Sequence, residues 1–453
     1  MRCHHNRKLL AVCFLSLAIP VQAAPPAEVM TPRELDPVGG TVMQPQSWHF
    51  HHQPDRFGHT WIIAREPANN YETGFRAQLV TGTQRYLKDK PKDFAKKFIS
   101  DKKSAAKTIS AQCDTNAPAA NSLCLETEET ISYHSGKKQF RILYKVQWYD
   151  ELDSVVVYTA GAPSTDWATW QPVLTAMLAG SPLNFFGLPK PKPANTIQQC
   201  PGLNSNNKQR YDYFSKIRFD HDRLPVGAIG SHDMVVDGSY LPLTPEEFVA
   251  KIKSDEHYVQ AKQIMLMWSY SGLPNAYFKR RVEELTGKSV FGVNGQLWLY
   301  SNGSMAITDP YKTQNSYPTD ANITQCLTND AIIHPASECQ KLLPQNEKPI
   351  FSNGEFALTC AEIAQFERDS VLGDSIAAMK LFFFNKFVNV DNEKSALLLA
   401  QAALSGFDKA QYMMALFLKD NPKQQQLYRQ FLQQAAQQGH EQAAERLRAE
   451  HLE

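Results

Sequence analysis

Apolar residues are spaced in three different ways along this chain, and each spacing predicts a different architecture. In the first region, Thr60-Trp61-Ile62-Ile63 reads as a strand, and Pro91 opens a helix with Phe94 and Phe98 at i, i+4. Gln139–Trp148 and Ser154–Thr159 are rich in β-branched and aromatic residues and flank Tyr149-Asp150-Glu151, which predicts a hairpin. Asp166 can cap a helix reaching Met177, with Trp167, Trp170 and Leu174 on one face. Residues 47–186 are therefore expected to form an N-terminal α+β domain.

In the second region the apolar runs are short and continuous. Val226–Ile229, Ile264–Trp268, Val290–Val293 and Leu297–Tyr300 read as strands, with Asn302-Gly303 as a turn. Between them Thr244-Pro245-Glu246-Glu247 starts a helix, and Asn275–Leu285 forms another, stopped by Gly287. The alternation predicts a middle α/β domain over 206–312 with a mostly parallel sheet. Connecting stretches carry the opposite signal. Residues 24–46 read as a flexible leader, 187–205 as a linker marked by Pro189, Pro191, Pro193 and Pro201, and 313–354 as a polar connection stapled by cysteines.

The third region repeats. Gly373, Gly406 and Gly439 are 33 residues apart, and Ala377, Ala410 and Ala443 keep the same period. So do Leu381, Met414 and Leu447, and Ala402-Ala403 recurs as Ala435-Ala436. A period of this size signals stacked helical pairs over 355–453, since one pair cannot bury its own apolar stripe. Ala400–Gly406 followed by Asp408-Lys409-Ala410, and Gln433–Gly439 followed by Ala443-Ala444, resemble the Sel-one-like repeat, a relative of the tetratricopeptide repeat. That resemblance implies a protein–protein interaction surface, with Phe382, Tyr412 and Phe417 as anchors on a concave face. The alternative is a helical cap that stabilises the α/β domain.

Composition and charge narrow the setting. With 47 Lys plus Arg against 46 Asp plus Glu there is no footprint for nucleic acid. Residues 1–23 read as a secretory signal: Arg2, Arg7 and Lys8, then the apolar run Leu9–Ile19, then Val21-Gln22-Ala23 as a cleavage site. No later stretch is apolar for long enough to span a membrane. A periplasmic or secreted chain is expected. Six cysteines follow the signal: Cys113, Cys124, Cys200, Cys326, Cys339 and Cys360. An even count in an exported chain favours disulfides. Local pairs Cys113–Cys124 and Cys326–Cys339 would leave Cys200–Cys360, with the full pairing open. C-x-x-C spacing is absent, and no metal or cofactor is expected. His49, His51, His52 and His59 cluster, yet lack acidic partners at ligand spacing apart from Asp55, so they read as part of a polar leader. The lysines of 88–107 read as the solvated face of a helix.

One constellation could carry chemistry. Gly230-Ser231-His232-Asp233 follows the first strand of the α/β region, and Ser269-Tyr270-Ser271-Gly272 follows the run Ile264–Trp268. If those strands are parallel neighbours, His232 and Ser269 share the carboxyl edge, where ligands bind in open α/β sheets. Imidazole beside a hydroxyl is the minimum for nucleophilic catalysis. The stretches Ile229–Asp233 and Ile264–Gly272 are similar to the caspase-like hydrolase fold, in which a histidine and a cysteine hold these places. Ser269 stands where that fold has its cysteine, which implies a degenerate domain. Two readings result. The first is an exported, non-enzymatic protein that binds another protein through its helical repeats, resembling in architecture immunity proteins that neutralise toxins. The second is a secreted serine-type hydrolase of acyl or peptide bonds, with Ser269 as nucleophile, His232 as base and Asp233 as orienter.

Overall fold

A computed structural model describes residues 29–67, 71–111, 121–133, 136–179, 207–218, 222–274, 276–309 and 317–450. The N-terminal part is rich in strands. β1 (Met30–Glu34) and β2 (Thr41–Pro45) form an antiparallel ribbon. They are followed by β3 (His49–Asp55), β4 (Gly58–Ala64), β5 (Gly74–Thr81), α1 (Thr83–Leu87) and α2 (Pro91–Ala105). β6 (Lys107–Ser110), β7 (Ser122–Tyr133), β8 (Gly136–Tyr149), β9 (Ser154–Pro163) and α3 (Trp167–Ala179) complete it. Strands β3–β9 form one antiparallel sheet of seven, in the order β3-β4-β5-β9-β8-β7-β6. Alternation along β9 explains its two cores. Val155 and Val157 face α2, while Val156, Tyr158 and Ala160 face α3 and the β1–β2 ribbon.

Two expectations change here. Within the expected leader 24–46, the described residues 29–46 are packed in place, because Leu35, Val38 and Val42 are buried against Trp61, Trp167 and Trp170. The histidines belong to the sheet, not to a polar lead-in: His49, His51 and His52 lie on β3 and His59 on β4. Among the described residues no group of three or more His, Cys, Asp or Glu could hold a metal ion.

The middle part contains α4 (Asn207–Phe214), β10 (Arg223–Gly227), β11 (Ile229–Gly230), β12 (Val235–Val236), β13 (Pro242–Leu243), α5 (Pro245–Lys253), β14 (Gln263–Met267), α6 (Tyr277–Thr286) and β15 (Ser289–Gly292). β16 (Gln296–Leu299), β17 (Met305–Thr308), β18 (Ile323–Leu327), β19 (Ile333–Pro335), α7 (Ala336–Leu342) and β20 (Ile350–Phe351) follow. Only β10-β14-β15 is parallel; β11-β12-β13 and β19-β18-β17-β16-β20 are antiparallel. The expectation of a mostly parallel sheet is thus corrected. The tight turn at Asn302-Gly303 makes β16 and β17 a hairpin, which cannot be parallel. Residues 317–351 also complete that sheet, where a connection was expected. β14 is buried on both faces, as its continuous apolar run requires. Ile264 and Leu266 meet Phe248 and Phe278 on one side, while Met265 and Met267 meet Leu297 and Met305 on the other.

The C-terminal part is helical: α8 (Cys360–Val371), α9 (Ser375–Phe387), α10 (Asn392–Leu404), α11 (Asp408–Leu418), α12 (Gln425–Gln437) and α13 (Glu441–Ala449). Each packs on the next. Gly373, Gly406 and Gly439 fall in the turns after α8, α10 and α12, at φ of 92°, 81° and 90°, a left-handed geometry that suits glycine. Cys326 and Cys339 form the expected disulfide. Cys124 and Cys360 each take part in a disulfide, while Cys113 and Cys200 lie outside the described residues, as do the signal and the linker. None of the described helices is long and apolar enough to cross a membrane.

Candidate functional site

The loop after β11 is held from three sides. Trp268 Nε1 donates to the Ser231 carbonyl at 3.1 Å, Phe278 N to the His232 carbonyl at 3.4 Å, and Asn353 Nδ2 to the Gly230 carbonyl at 2.9 Å. The same Asn353 amide donates to the carbonyl of Phe387, at the end of α9, at 3.0 Å. Gly230 has no room for a side chain, since a Cβ there would lie 2.7 Å from Trp268 Nε1.

Side chains then gather on Asp233. Its Oδ1 accepts from Ser231 Oγ at 2.9 Å, and its Oδ2 accepts from Lys386 Nζ at 2.7 Å. Lys386 comes from α9, is almost wholly buried and also donates to Asn392 Oδ1 at 3.0 Å. His232 Nε2 stands 3.7 Å from Asp233 Oδ2, beyond hydrogen-bond reach, and its Nδ1 is buried without a partner. Burial lowers the His232 pKa; Asp233 opposes this and Lys386 adds to it, so the ring is neutral near pH 7. Burial works against the Asp233 carboxylate, but Lys386 and His232, together with the bonds from Lys386 and Ser231, hold its pKa below the usual range.

Ser269 sits beyond the end of β14, fully buried. Its Oγ lies 2.7 Å from Ser352 Oγ and accepts from Leu297 N at 2.9 Å. Tyr270 follows in a left-handed backbone at φ 67°. The structure therefore places His232 and Ser269 on loops next to the parallel sheet but engages them separately. Asp233 is committed to Lys386, and the Ser269 hydroxyl is committed to Ser352 and the β16 backbone. A cleft of about 480 Å³ runs along β10 beside Val235, Phe248 and Ile252, and neither His232 nor Ser269 lines it.

The binding anchors are redistributed too. Phe382 and Tyr412 are buried, 1% and 4% exposed, within a core that also takes in Ile229, Met234, Val236 and Leu241 of the middle part. Tyr412 stacks on His440 at 4.6 Å. Arg446, beside it, donates to Glu247 Oε1 at 2.9 Å, and Glu247 closes the capping box of α5. The expected concave binding face is thus filled by the protein's own β11–β13, because its aromatic rings find apolar partners there. Phe417 alone of the three anchors is open to solvent, at 47%.

Sequence reasoning missed Lys386, Asn353 and Ser352, which reach the loop from far along the chain and carry no local signal. It also missed the outer face of α10. Ala396, Leu397 and Leu404 are exposed and Ala400 partly so; Leu397 and Leu404 reach 67% and 63%. One period later, on α12, the same positions hold Arg429, Gln430, Gln433 and Gln437. That contrast was available from the repeat alone.

Residues 198–307 match the model of a family described as a domain of unknown function (DUF8616). No curated protein matches the chain in sequence. Among solved structures, the Ran-binding protein Mog1p of Saccharomyces cerevisiae is similar at 10% identity over 35% of this chain and 96% of its own, with a TM-score of 0.24. PsbP (CyanoP) from Synechocystis sp. PCC 6803 is similar at 8% identity over 36% and 98%, with a TM-score of 0.23. A protein from Bacteroides thetaiotaomicron VPI-5482 is similar at 9% identity over 68% and 91%, with a TM-score of 0.22.

Proposed function

We propose that this is an exported, non-enzymatic binding protein, whose Sel-one-like helices grip another protein with the outer face of α10. The observation that carries the reading is the stripe Ala396, Leu397, Ala400 and Leu404. A solvent-facing helix surface is normally polar. α12 obeys that rule at the matching positions, and α10 breaks it while already burying Leu398, Leu399, Ala402 and Ala403 on its inner face. A helix apolar on both faces is one whose second face is covered in use. The partner's complementary patch is apolar, and the alanines let its backbone come close. Covering a partner in this way is the mechanism of an immunity-like protein. The serine-hydrolase reading is set aside because the Ser269 hydroxyl is enclosed and bonded away from His232.

Substitution with the residues of the next repeat tests the proposal. Leu397→Gln with Leu404→Gln should leave the circular dichroism spectrum and thermal midpoint close to wild type, because both side chains are largely in water. Affinity for the partner captured by the wild-type chain from its own periplasmic extract should fall about tenfold or more, the usual scale for an apolar anchor of 1–3 kcal/mol. Equal capture by both forms sinks the reading.

A further inference from the structure

The seam where β3 and β4 meet the α8–α9 turn holds a histidine pair that the proposed binding role leaves unused. His59 is 5% exposed. Its Nε2 lies 3.0 Å from the carbonyl of Val371, the last residue of α8. A carbonyl can only accept, so Nε2 carries the hydrogen. The other ring nitrogen, Nδ1, lies 3.2 Å from His52 Nε2, and His52 stacks on Trp61 at 5.4 Å. A neutral imidazole has one N–H, so His59 Nδ1 accepts from His52 Nε2. The relay from His52 to His59 to Val371 is therefore complete with both rings neutral.

We propose that this relay is a pH-operated latch, which holds the strand-rich domain on the helices at neutral pH and loosens in mild acid. A proton taken up on His52 Nδ1 leaves the relay in place, but one taken up by His59 puts a second N–H on that ring, and His52 can accept it only by carrying its own hydrogen on Nδ1. A second proton leaves two N–H groups aimed at each other, on cationic rings whose centres are 5.2 Å apart. From β3, Asp55 favours the charged form of both rings, and Asp36, between β1 and β2, favours that of His52. Across the seam, His59 meets the Val371 carbonyl. Further along that seam lie Asp369 and Asp374, already engaged by Arg85 and Tyr86. Arg56 sits over Phe407.

Burial outweighs these attractions, lowering the His52 pKa and taking that of His59 down from 6.5 to about 4. The folded state thus binds fewer protons than the unfolded one between about 4 and 6.5, so stability is lost as pH falls through that window. The Asp374 pKa is raised instead, chiefly by burial, and its contribution has the opposite sign. It cannot produce a loss on acidification.

Hydrogen exchange of the full chain, expressed as protection factors corrected for intrinsic rates, tests the latch. Between pH 7.5 and 5.0, protection of residues 56–60 and 371–376 should fall about tenfold more than that of β14. His59→Gln keeps an N–H for Val371 but does not titrate, and should flatten this difference. His52→Gln, at an exposed position of β3, should flatten it partly without disturbing docking at neutral pH. An undiminished acid response in both variants, or uniform loss of protection across the wild-type chain, overturns the proposal.

Discussion

Replacing Gly373 with alanine should cost about 3 kcal/mol or more, whereas the same change at Gly406 or Gly439 should cost about 1–2 kcal/mol. All three glycines occupy the same repeat position with φ between 81° and 92°, so the backbone penalty for an L-residue is shared. Their surroundings differ. A Cβ at Gly406 or Gly439 meets nothing within 4 Å, but at Gly373 it would lie 2.6 Å from the carbonyl carbon of Gly58 and 2.7 Å from its Cα. Those atoms are backbone and cannot swing away. Either the β3–β4 hairpin or the α8–α9 turn must move. The move breaks the bridge between Phe57 and Asp374, the bond from Ser375 N to the Arg56 carbonyl at 3.2 Å, and the His59–Val371 contact. Each is worth about 1 kcal/mol. Denaturant midpoints for the three variants, measured side by side, isolate the docking energy as the excess at Gly373. Equal losses at all three sites would mean that the seam contributes nothing.

Local periodicity explains which elements could be read in advance. The β8–β9 hairpin, the helix start at Thr244 and the helices around the glycine repeat all follow from residues within one or two turns of each other. Sheet direction did not, because it depends on partners far apart in sequence. The apolar runs at β14 and β16 look alike, yet β14 pairs with parallel β10 and β15, and β16 pairs with antiparallel β17 and β20. Residues 24–46 read as a leader because Pro and small residues dominate there. Three apolar side chains, Leu35, Val38 and Val42, suffice to fasten residues 29–46 to a core that includes Trp61, Trp167 and Trp170.

The candidate site divides along the same line. His232 and Ser269 were placed near the same sheet by strand logic, but what they bond to is decided by Ser352, Leu297 and Lys386. Lys386 is one of two lysines in a mostly apolar helix, and pattern alone ranks it as a solvated end residue. Only the fold shows it turned inward to Asp233. Phe382 and Tyr412 read as anchors because they are aromatic, the same property that makes them core residues where β11–β13 lies against them. The signal that survives is relative. Comparing α10 with α12 position by position separates an outer face from an inner one.

Arg85→Met should remove about 3 kcal/mol at neutral pH, with a penalty that shrinks in acid. Arg85 Nε meets Asp153 Oδ2 at 3.2 Å; its NH1 reaches Asp369 and lies 3.7 Å from Asp374 Oδ2. Asp369 and Asp374 are 2% and 0% exposed at their side chains, so removing the cation strands buried charge. Breaking such a pair from one side costs roughly 3–5 kcal/mol, and the lower end applies here because Arg85 is itself partly open to water. Hydrogen bonds from Tyr86 Oη and from the backbone N–H groups of Ile376 and Ala377 remain on Asp374 but carry no compensating charge. Asp374 already has a raised pKa, through burial first and Asp369 last, with Arg85 among the groups opposing the rise. Without Arg85 the pKa climbs further. The folded variant then binds more protons than its unfolded chain above the ordinary carboxylate range, so it gains stability relative to wild type as pH falls. The gap measured by denaturant unfolding at pH 7.5 should narrow by about 1 kcal/mol or more at pH 5. The histidine latch affects both proteins alike and cancels in that difference. Combining Arg85→Met with Asp369→Asn should recover part of the loss, since the second change removes one of the stranded charges. A penalty independent of pH, unrelieved by Asp369→Asn, would trace the loss to the packing of the Arg85 stem instead of its charge.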